Sequence, residues 1–299
     1  MKGREVLKTF FKKYNLEYFI FIFPMIVLFF IFFIIPFMQS FYFSLTNWSG
    51  ISAHPKFIGF RNFIYIFTKD SDFWMSFKFT IKFTVLSVVL INVVTLLLAR
   101  ILTKGILFEK RLRIIFFIPN ALSIAIVGII WNFILGPLMG ELLSKTGFAL
   151  FGAGWLTNPS LALLSVVVAT LWGALGWYTL IYVAGFEAVP VEYSEAAKID
   201  GCTSIGEFIH ITLPMIVPSI TVCVFLTIIN GLKVFDLLWS MTKGGPGKAT
   251  ESVIMNIYNT SFNTFLYGYG IAKSLILIIA IAVTGMLQVY FTKKKEVTL

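Results

Sequence analysis

The polar side chains best suited to chemistry lie within the apolar segment 215–238. Thr227, Asn230, Lys233 and Asp236 recur there at three-residue steps, which predicts a slowly rotating polar stripe along one helix. Ionisable residues inside a membrane are costly and usually face a bundle interior or a water-filled path. The stripe therefore indicates a path for a polar solute. The alternative is that Lys233 and Asp236 only neutralise each other near the end of the helix.

Trp172, Trp177 and Tyr178 lie in the preceding apolar segment. Aromatic rings can hold apolar C–H faces such as those of sugar rings. Packing against neighbouring helices explains the same residues equally well, so both interpretations stay open.

The sequence lacks the motifs that would give the chain a reaction of its own. It has no phosphate-binding G-x-x-x-x-G-K-[ST] loop, no H-E-x-x-H zinc motif and no Cys or His cluster. His54 and His210 are isolated, and Cys202 and Cys223 form neither a disulfide framework nor a metal-ligand spacing. We therefore expect no enzymatic activity, no cofactor and no metal in this chain, so that energy must come from a partner.

The composition is that of a membrane protein. The chain has 299 residues, of which 58% are hydrophobic and 13% charged, with a mean hydropathy of +0.90. A soluble globular protein has a charged fraction nearer a quarter. The net charge of +10 comes from basic residues beside apolar segments, not along a polar face with interleaved aromatics. This distribution favours contact with anionic membrane lipid and argues against nucleic acid as a partner.

Six apolar segments are long enough to cross a bilayer as helices. The first is too long for the apolar core of a signal peptide and lacks a cleavage site. The third is interrupted by Pro119-Asn120, where a helix cannot continue undisturbed. The sequence thus predicts an all-α, polytopic membrane protein with spans at about 18–38, 81–102, 114–135, 161–184, 215–238 and 268–291.

The basic residues predict the orientation of these spans. With the N-terminus inside, the inner segments hold 14 of the 24 Lys and Arg residues and the outer segments hold 8. The positive-inside rule then places both termini, and the loop after the fourth span, on the cytoplasmic side. We expect a multi-pass protein of the cytoplasmic (inner) cell membrane.

A polar island, residues 186–214, separates the fourth and fifth spans. Residues 191–200 lack Gly and Pro and include good helix formers, which predicts a short helix. Gly201 lies where a helix usually ends in a left-handed residue, and Ser204 with Glu207 has the spacing of a capping box for a second helix. This pattern predicts a helix, a turn and a helix, and by itself it is typical of a solvated amphipathic hairpin.

The spacing within the island resembles the cytoplasmic loop signature of binding-protein-dependent ABC importer permeases. The signature is E-A-A, three residues, G, nine residues and I-x-L-P, and all seven fixed positions match in residues 195–214. Further on, the run Thr242-Lys243-Gly244-Gly245-Pro246, followed by Thr250-Glu251, is similar to the sugar-type branch with maltose, multiple-sugar and glycerol-phosphate permeases. The resemblance covers most of the chain, including residues 57–63, and implies the type I ABC importer permease fold with six transmembrane helices.

The resemblance also implies which partners this chain needs. The island would be the coupling helix that docks in a cleft of an ATP-binding cassette ATPase dimer, which binds the ATP and Mg. A second homologous permease subunit and an extracellular sugar-binding protein would complete the importer. The expected coupling residues are Glu195, Ala196, Ala197, Asp200 and Gly201.

In this family the fourth and fifth spans line the sugar site, so the resemblance implies a substrate path of Thr227, Asn230, Gly231, Lys233, Asp236, Trp172 and Trp177. A hydroxyl and an amide would bind sugar hydroxyls, Gly231 would admit the sugar to the helix backbone, and an indole ring would stack on it. The two charged residues, further out on the same helix, would matter more for a charged or larger solute. The expected function is that of the permease subunit of an ATP-driven sugar importer, with an oligosaccharide as the expected solute. The subunit would form the solute path by alternating access.

These expectations divide the chain into an N-terminal transmembrane helix with an external loop, residues 1–75, and a permease core of five transmembrane helices, residues 76–299, with its coupling loop at 186–214. A membrane-embedded enzyme acting on a lipid-linked sugar is the alternative function. It would need paired carboxylates or a metal site near a membrane face, whereas the dense carboxylates lie in the island. A channel or proton-driven carrier predicts internal repeats and ionisable relays across several spans, and we find neither.

Overall fold

A computed structural model describes residues 16–52, 54–104, 109–136, 140–141, 145 and 154–294, and this part of the chain is built from helices. The helices are α1 Leu16–Phe29, α2 Ile35–Ser44, α3 Arg61–Thr68, α4 Ser71–Leu102, α5 Glu109–Phe117, α6 Ile124–Leu135, α7 Pro159–Glu187, α8 Val191–Ile199, α9 Ser204–Glu207, α10 Leu213–Met215, α11 Val217–Leu232, α12 Asp236–Met241, α13 Val253–Tyr258 and α14 Tyr267–Lys293. Short π-helical turns join α1 to α2 and α9 to α10. The predicted basic N-terminus and much of the predicted external loop 136–159 lie outside the described residues.

Four helical stretches of the described chain are long and apolar enough to cross a membrane, namely Phe21–Ser44, Ser71–Leu102, Pro159–Glu187 and Tyr267–Lys293. Two bent pairs have the same character, Arg111–Ala121 with Ile124–Leu135 and Ser204–Met215 with Val217–Leu232. The described residues therefore contain four spans, or six if each bent pair crosses once. This confirms the prediction of an all-α, polytopic membrane protein.

The second span begins ten residues before the predicted start at 81, because α4 has a cap at Asp70. The Asp70 carboxylate accepts a hydrogen bond from the N–H of Phe73 at 2.8 Å, which satisfies a donor that the first helical turn leaves free. Two polar residues in the first turns of α4, Ser76 and Thr80, are buried. The hydroxyl of Thr80, for example, accepts a hydrogen bond from the N–H of Val253 at 3.0 Å.

The third span is broken where the sequence predicts an interruption. The stretches before and after residues 122–123 meet at an angle of 95°. Pro119 cannot donate a backbone hydrogen bond, and a 3-10 turn, Ile118–Ala121, replaces the α-helix there. Ser123 begins the next helix by accepting from the N–H of Ile126 at 3.4 Å, so the interruption is confirmed.

The fifth predicted span, 215–238, is wrong at its C-terminal end. α11 ends at Leu232, Lys233 is its C-cap, and the separate helix α12 begins at Asp236. The break allows α12 to bury Leu238 against α6 in the main apolar core. Because this packing is tertiary, the three-residue periodicity does not report it. The predicted stripe therefore follows one helix only as far as Asn230, and the two charged residues lie beyond its end.

The chain divides into two compact units, residues 16–67 with 260–275 and residues 68–259 with 276–294. In the first unit, the Asn62 amide donates to the carbonyls of Ser44 at 2.8 Å and Thr46 at 2.9 Å, closing the loop after α2. In the second unit, α4, α7, α11 and α12 surround the apolar core. All candidate site residues lie in this second unit, and the division of the chain at residue 75 stays a prediction.

Candidate coupling loop and solute cavity

The polar island folds as a helix, a turn and a helix, as predicted. At the end of α8, the N–H of Gly201 donates to the carbonyl of Lys198 at 3.1 Å and the N–H of Cys202 donates to that of Ala197 at 2.9 Å. These paired bonds form a Schellman motif, which needs a left-handed residue that Gly adopts without steric cost. Gly201 has a φ of +73°, so the predicted left-handed turn is confirmed.

The predicted capping box of the second helix is wrong. Thr203, not Ser204, is the N-cap of α9, because its backbone is extended and its hydroxyl accepts from the N–H of Gly206 at 3.2 Å. Glu207 instead accepts a hydrogen bond from the hydroxyl of Ser194 on α8 at 2.6 Å. This bond ties the two helices of the island together, which is a tertiary role that local spacing does not reveal.

The island presents a mixed polar and apolar surface. Glu195, Ala196 and Asp200 are exposed, whereas Ala197 faces inward and is only 5% exposed. Ile199 nearby is 86% exposed. Several other apolar side chains of the island are also exposed, but by smaller fractions. Exposed apolar side chains rimmed by polar residues mark a surface that binds another protein or a membrane. The coupling role of these residues stays a prediction.

Arg100, at the end of α4, holds the island against the transmembrane helices. Its guanidinium donates to the carbonyl of Ser204 at 3.0 Å and lies 3.9 Å from the ring centre of Phe208. A cation over an aromatic face and a charged hydrogen bond both stabilise this contact. The island is thus joined directly to a helix that also lines the cavity described next.

A cavity of about 350 Å³ lies among α4, α7, α11 and the start of α12, with Asn120 and Ile124 of the third span also lining it. Six of the seven predicted path residues line it, namely Thr227, Asn230, Gly231, Lys233, Asp236 and Trp177. The seventh, Trp172, packs against Trp131 with ring centres 6.1 Å apart, beside the apolar core. Of the two interpretations left open for the indoles, packing therefore describes Trp172, whereas Trp177 is 51% exposed and faces the cavity.

The polar groups of the cavity differ in how available they are. Thr227 is 2% exposed, and its hydroxyl is already bonded to the carbonyl of Cys223 and the amide of Asn92. Asn230 is exposed and donates one weak hydrogen bond, at 3.3 Å, to the hydroxyl of Tyr178. Asn230 therefore retains hydrogen-bonding capacity for a solute, whereas the hydroxyl of Thr227 is used by the protein.

Lys233 and Asp236 are both exposed at the cavity. No ion pair joins them within the described part of the chain, so the alternative in which they merely neutralise each other is not what the structure has. Their separation follows from the break between α11 and α12. Both charges remain available to a solute.

Gly231 serves helix packing. A Cβ at this position would lie 2.8 Å from Oγ1 of Thr84 on α4, which is closer than real Cβ contacts allow. The absence of a side chain thus lets α11 approach α4. The predicted role, admitting a sugar to the helix backbone, is not supported at the Cβ position, because Thr84 occupies the space in front of it.

Sequence reasoning missed a polar network that joins three helices behind the cavity. Asn92 on α4 donates to Thr227 on α11 at 3.1 Å and accepts from the hydroxyl of Tyr182 on α7 at 2.6 Å. An amide near the middle of an apolar span was the available signal, since buried polar groups need partners. The partners themselves could not be identified from the sequence, because they lie 90 and 135 positions away along the chain.

Residues 93–297 match the family described as binding-protein-dependent transport system inner membrane component. The chain is 38% identical to the "Probable starch degradation products transport system permease protein AmyD" of Thermoanaerobacterium thermosulfurigenes, over 97% of this chain and 98% of that protein. It is 31% identical to the "Multiple sugar-binding transport system permease protein MsmF" of Streptococcus mutans, over 89% of this chain and 92% of that protein.

Two solved structures share the fold. A bacterial ABC transporter involved in the import of the acidic polysaccharide alginate aligns with a TM-score of 0.80 and 22% identity, over 98% of this chain and 99% of that chain. The alginate transporter in complex with an alginate pentasaccharide-bound periplasmic protein aligns with a TM-score of 0.74 and 25% identity, over 92% of each chain.

These matches cover nearly the whole chain and confirm the resemblance found in the sequence. The family is a transport component without enzymatic activity, and the comparisons give no support to an enzyme acting on a lipid-linked sugar. The chain is therefore a multi-pass membrane protein with the type I ABC importer permease fold, and it belongs to the binding-protein-dependent transport system inner membrane component family.

Proposed function

We propose that this permease imports a neutral oligosaccharide through the cavity among α4, α7, α11 and α12. The observation that carries the proposal is that one cavity combines hydrogen-bonding groups with a half-exposed indole. Asn230 supplies an exposed amide beside the buried hydroxyl of Tyr178, and Trp177 supplies a flat apolar face. Sugar rings pair hydroxyl edges with apolar C–H faces, and the cavity complements both.

The charges at the cavity favour an uncharged solute. Among its described lining residues Lys233 and Asp236 are the charged ones, so the lining has no net formal charge although the two side chains form no ion pair. A site for a polyanion needs an excess of positive charge, because anions removed from water must be paired. The relative named for starch degradation products agrees with a neutral sugar, whereas two others are named for the anion sn-glycerol-3-phosphate. The acidic alginate of the solved transporters suits this cavity less well.

We further propose that the polar island binds an ATP-binding cassette ATPase dimer, which holds the ATP and Mg²⁺. Glu195 would pair with a basic residue of the ATPase, and Ala196 would allow close approach of the two proteins. The island contacts α4 through Arg100, and α4 leads from that contact to the cavity. This connection supports a coupling of ATPase closure to alternating access of the solute path.

The remaining partners are a second homologous permease subunit, which completes the solute path, and an extracellular sugar-binding protein, which delivers the solute. The family description and the alginate complex with its periplasmic protein support the binding protein. We propose an orientation with both termini and the polar island in the cytoplasm, which rests on the excess of basic residues in the inner segments.

Uptake by the assembled transporter tests the solute. Proteoliposomes containing this chain with its permease, ATPase and binding-protein partners are given labelled maltotriose, an alginate trisaccharide or glycerol 3-phosphate. We expect ATP-dependent uptake of maltotriose and little uptake of either anion. Preferential uptake of either anion would contradict the neutral solute, and uptake of none of the three compounds would reject maltotriose as the solute.

A further inference from the structure

A hydroxyl on α4 lies at the cavity without a hydrogen-bond partner. Ser87 is 1% exposed and lines the cavity, and its Oγ has no partner within the described part of the chain. Buried hydroxyls are nearly always hydrogen-bonded, because an unpaired one has lost water without replacement. An orphan at a cavity therefore points to a group that the described part of the chain does not supply.

Neighbouring hydroxyls on the same helix are satisfied locally. Thr80, Thr84 and Thr95 each donate to the carbonyl four residues earlier, at 2.8, 2.7 and 2.6 Å. This is the usual arrangement for a hydroxyl inside a helix. Ser87 departs from it although it lies between Thr84 and Thr95 on the same helix.

Ser87 also occupies the face of α4 that borders the cavity. Phe83, Ser87 and Ile91, spaced four residues apart, all line it, and Ser87 is the polar member of the three. Asn230 on α11 and Tyr178 on α7 border the same cavity. α4, α7 and α11 thus all bring hydrogen-bonding side chains to a single space.

We propose that Ser87 is a solute-binding residue whose hydroxyl hydrogen-bonds to one sugar hydroxyl at the cavity, which adds α4 to the solute path formed by α7 and α11. The nature of the solute rests on the proposed function, whereas the position of Ser87 in the path does not. The same helix carries Arg100, the contact to the polar island, so the proposal also places a solute contact on an element joined to that island.

Ser87→Ala removes only the unpaired hydroxyl, so the variant should fold and be expressed like the wild type. In the proteoliposome assay we expect the KM for maltotriose to rise about three- to tenfold while the maximal rate is kept, as for a lost neutral hydrogen bond. The control is Thr95→Val, which removes a buried hydroxyl that is bonded within the helix, and its KM should not change. An unchanged KM in Ser87→Ala, or an equal rise in both variants, would overturn the proposal.

A second measurement does not depend on the solute. Ser87→Cys and Thr95→Cys are made in a chain with Cys202→Ser and Cys223→Ala, and each is treated with a small charged methanethiosulfonate during ATP turnover. We expect the thiol at 87 to react and the thiol at 95 to stay protected. Failure of position 87 to react in every state would refute its place in the path. Reaction at 87 without maltotriose uptake by the wild type would support the path and reject the proposed sugar.

Discussion

Replacing Gly201 by Asp tests whether the turn of the polar island is a docking surface. The variant is expected to reach the membrane at normal levels and to lose the coupling between ATP hydrolysis and uptake. The substitution has two effects. It strains the backbone of this chain, and it presents a side chain and a negative charge to the protein that binds the turn. The size of the first effect can be estimated from the structure.

The structure sets the size of the strain. No described atom lies within 4 Å of the position that a Cβ would take at Gly201, so the substitution causes no clash within the described chain. The φ of +73° costs a residue with a side chain about 1–2 kcal/mol, with Asp near the lower end. One kcal/mol lowers the equilibrium constant for the native turn about fivefold, which is the most that this strain can reduce its population. A tenfold or larger loss of uptake would therefore exceed what strain explains and would indicate a lost protein contact.

The assay measures sugar uptake and ATP hydrolysis in the same proteoliposomes. We expect uptake to fall more than tenfold while ATP hydrolysis continues without stimulation by the sugar-loaded binding protein. Gly59→Asp is the matched control, because Gly59 has a φ of +61° and also has no described atom within 4 Å of its Cβ position. Wild-type uptake in Gly201→Asp, or an equal loss in both variants, would show that the island is a solvated hairpin and not a docking element.

The orientation, the solute path and the helix packing each give one more test. Cys202 is exposed in the island, so a membrane-impermeant maleimide should label it in inside-out vesicles but not in intact cells, and labelling from outside would reverse the orientation. Asn230→Ala should lower sugar uptake by about one to two orders of magnitude, because a sugar hydroxyl left without its hydrogen-bond partner costs about 1–3 kcal/mol. Normal uptake in both this variant and Trp177→Ala would show that the two side chains serve only packing. Gly231→Ala places a Cβ 2.8 Å from Oγ1 of Thr84 and should destabilise the chain by about 1–3 kcal/mol in thermal unfolding. The double variant with Thr84→Ala should recover part of that stability. A fully stable single variant would mean that α11 and α4 separate easily.

The features that could be predicted from the sequence depend on local chemistry. Span positions follow from runs of apolar residues, the break at Pro119 follows from a missing N–H, and the turn at Gly201 follows from the need for a positive φ. The coupling signature also lies within one short loop, so its spacing can be recognised in the sequence. Each of these rules acts over fewer than about 25 residues, which is why one sequence was sufficient.

Tertiary structure decided the features that depend on neighbours distant in sequence. The burial of Leu238 on α12 against α6 goes with an early end of α11 at Leu232. Lys233 therefore lies beyond the helix that carries Thr227 and Asn230. Thr84 explains Gly231, because the small residue on α11 leaves room for the hydroxyl on α4. The pattern along a single helix gives its periodicity but does not specify which residues of other helices fill the space beside it. That choice determines whether a polar group such as Thr227 bonds within the protein or, like Asn230, remains available to the solute.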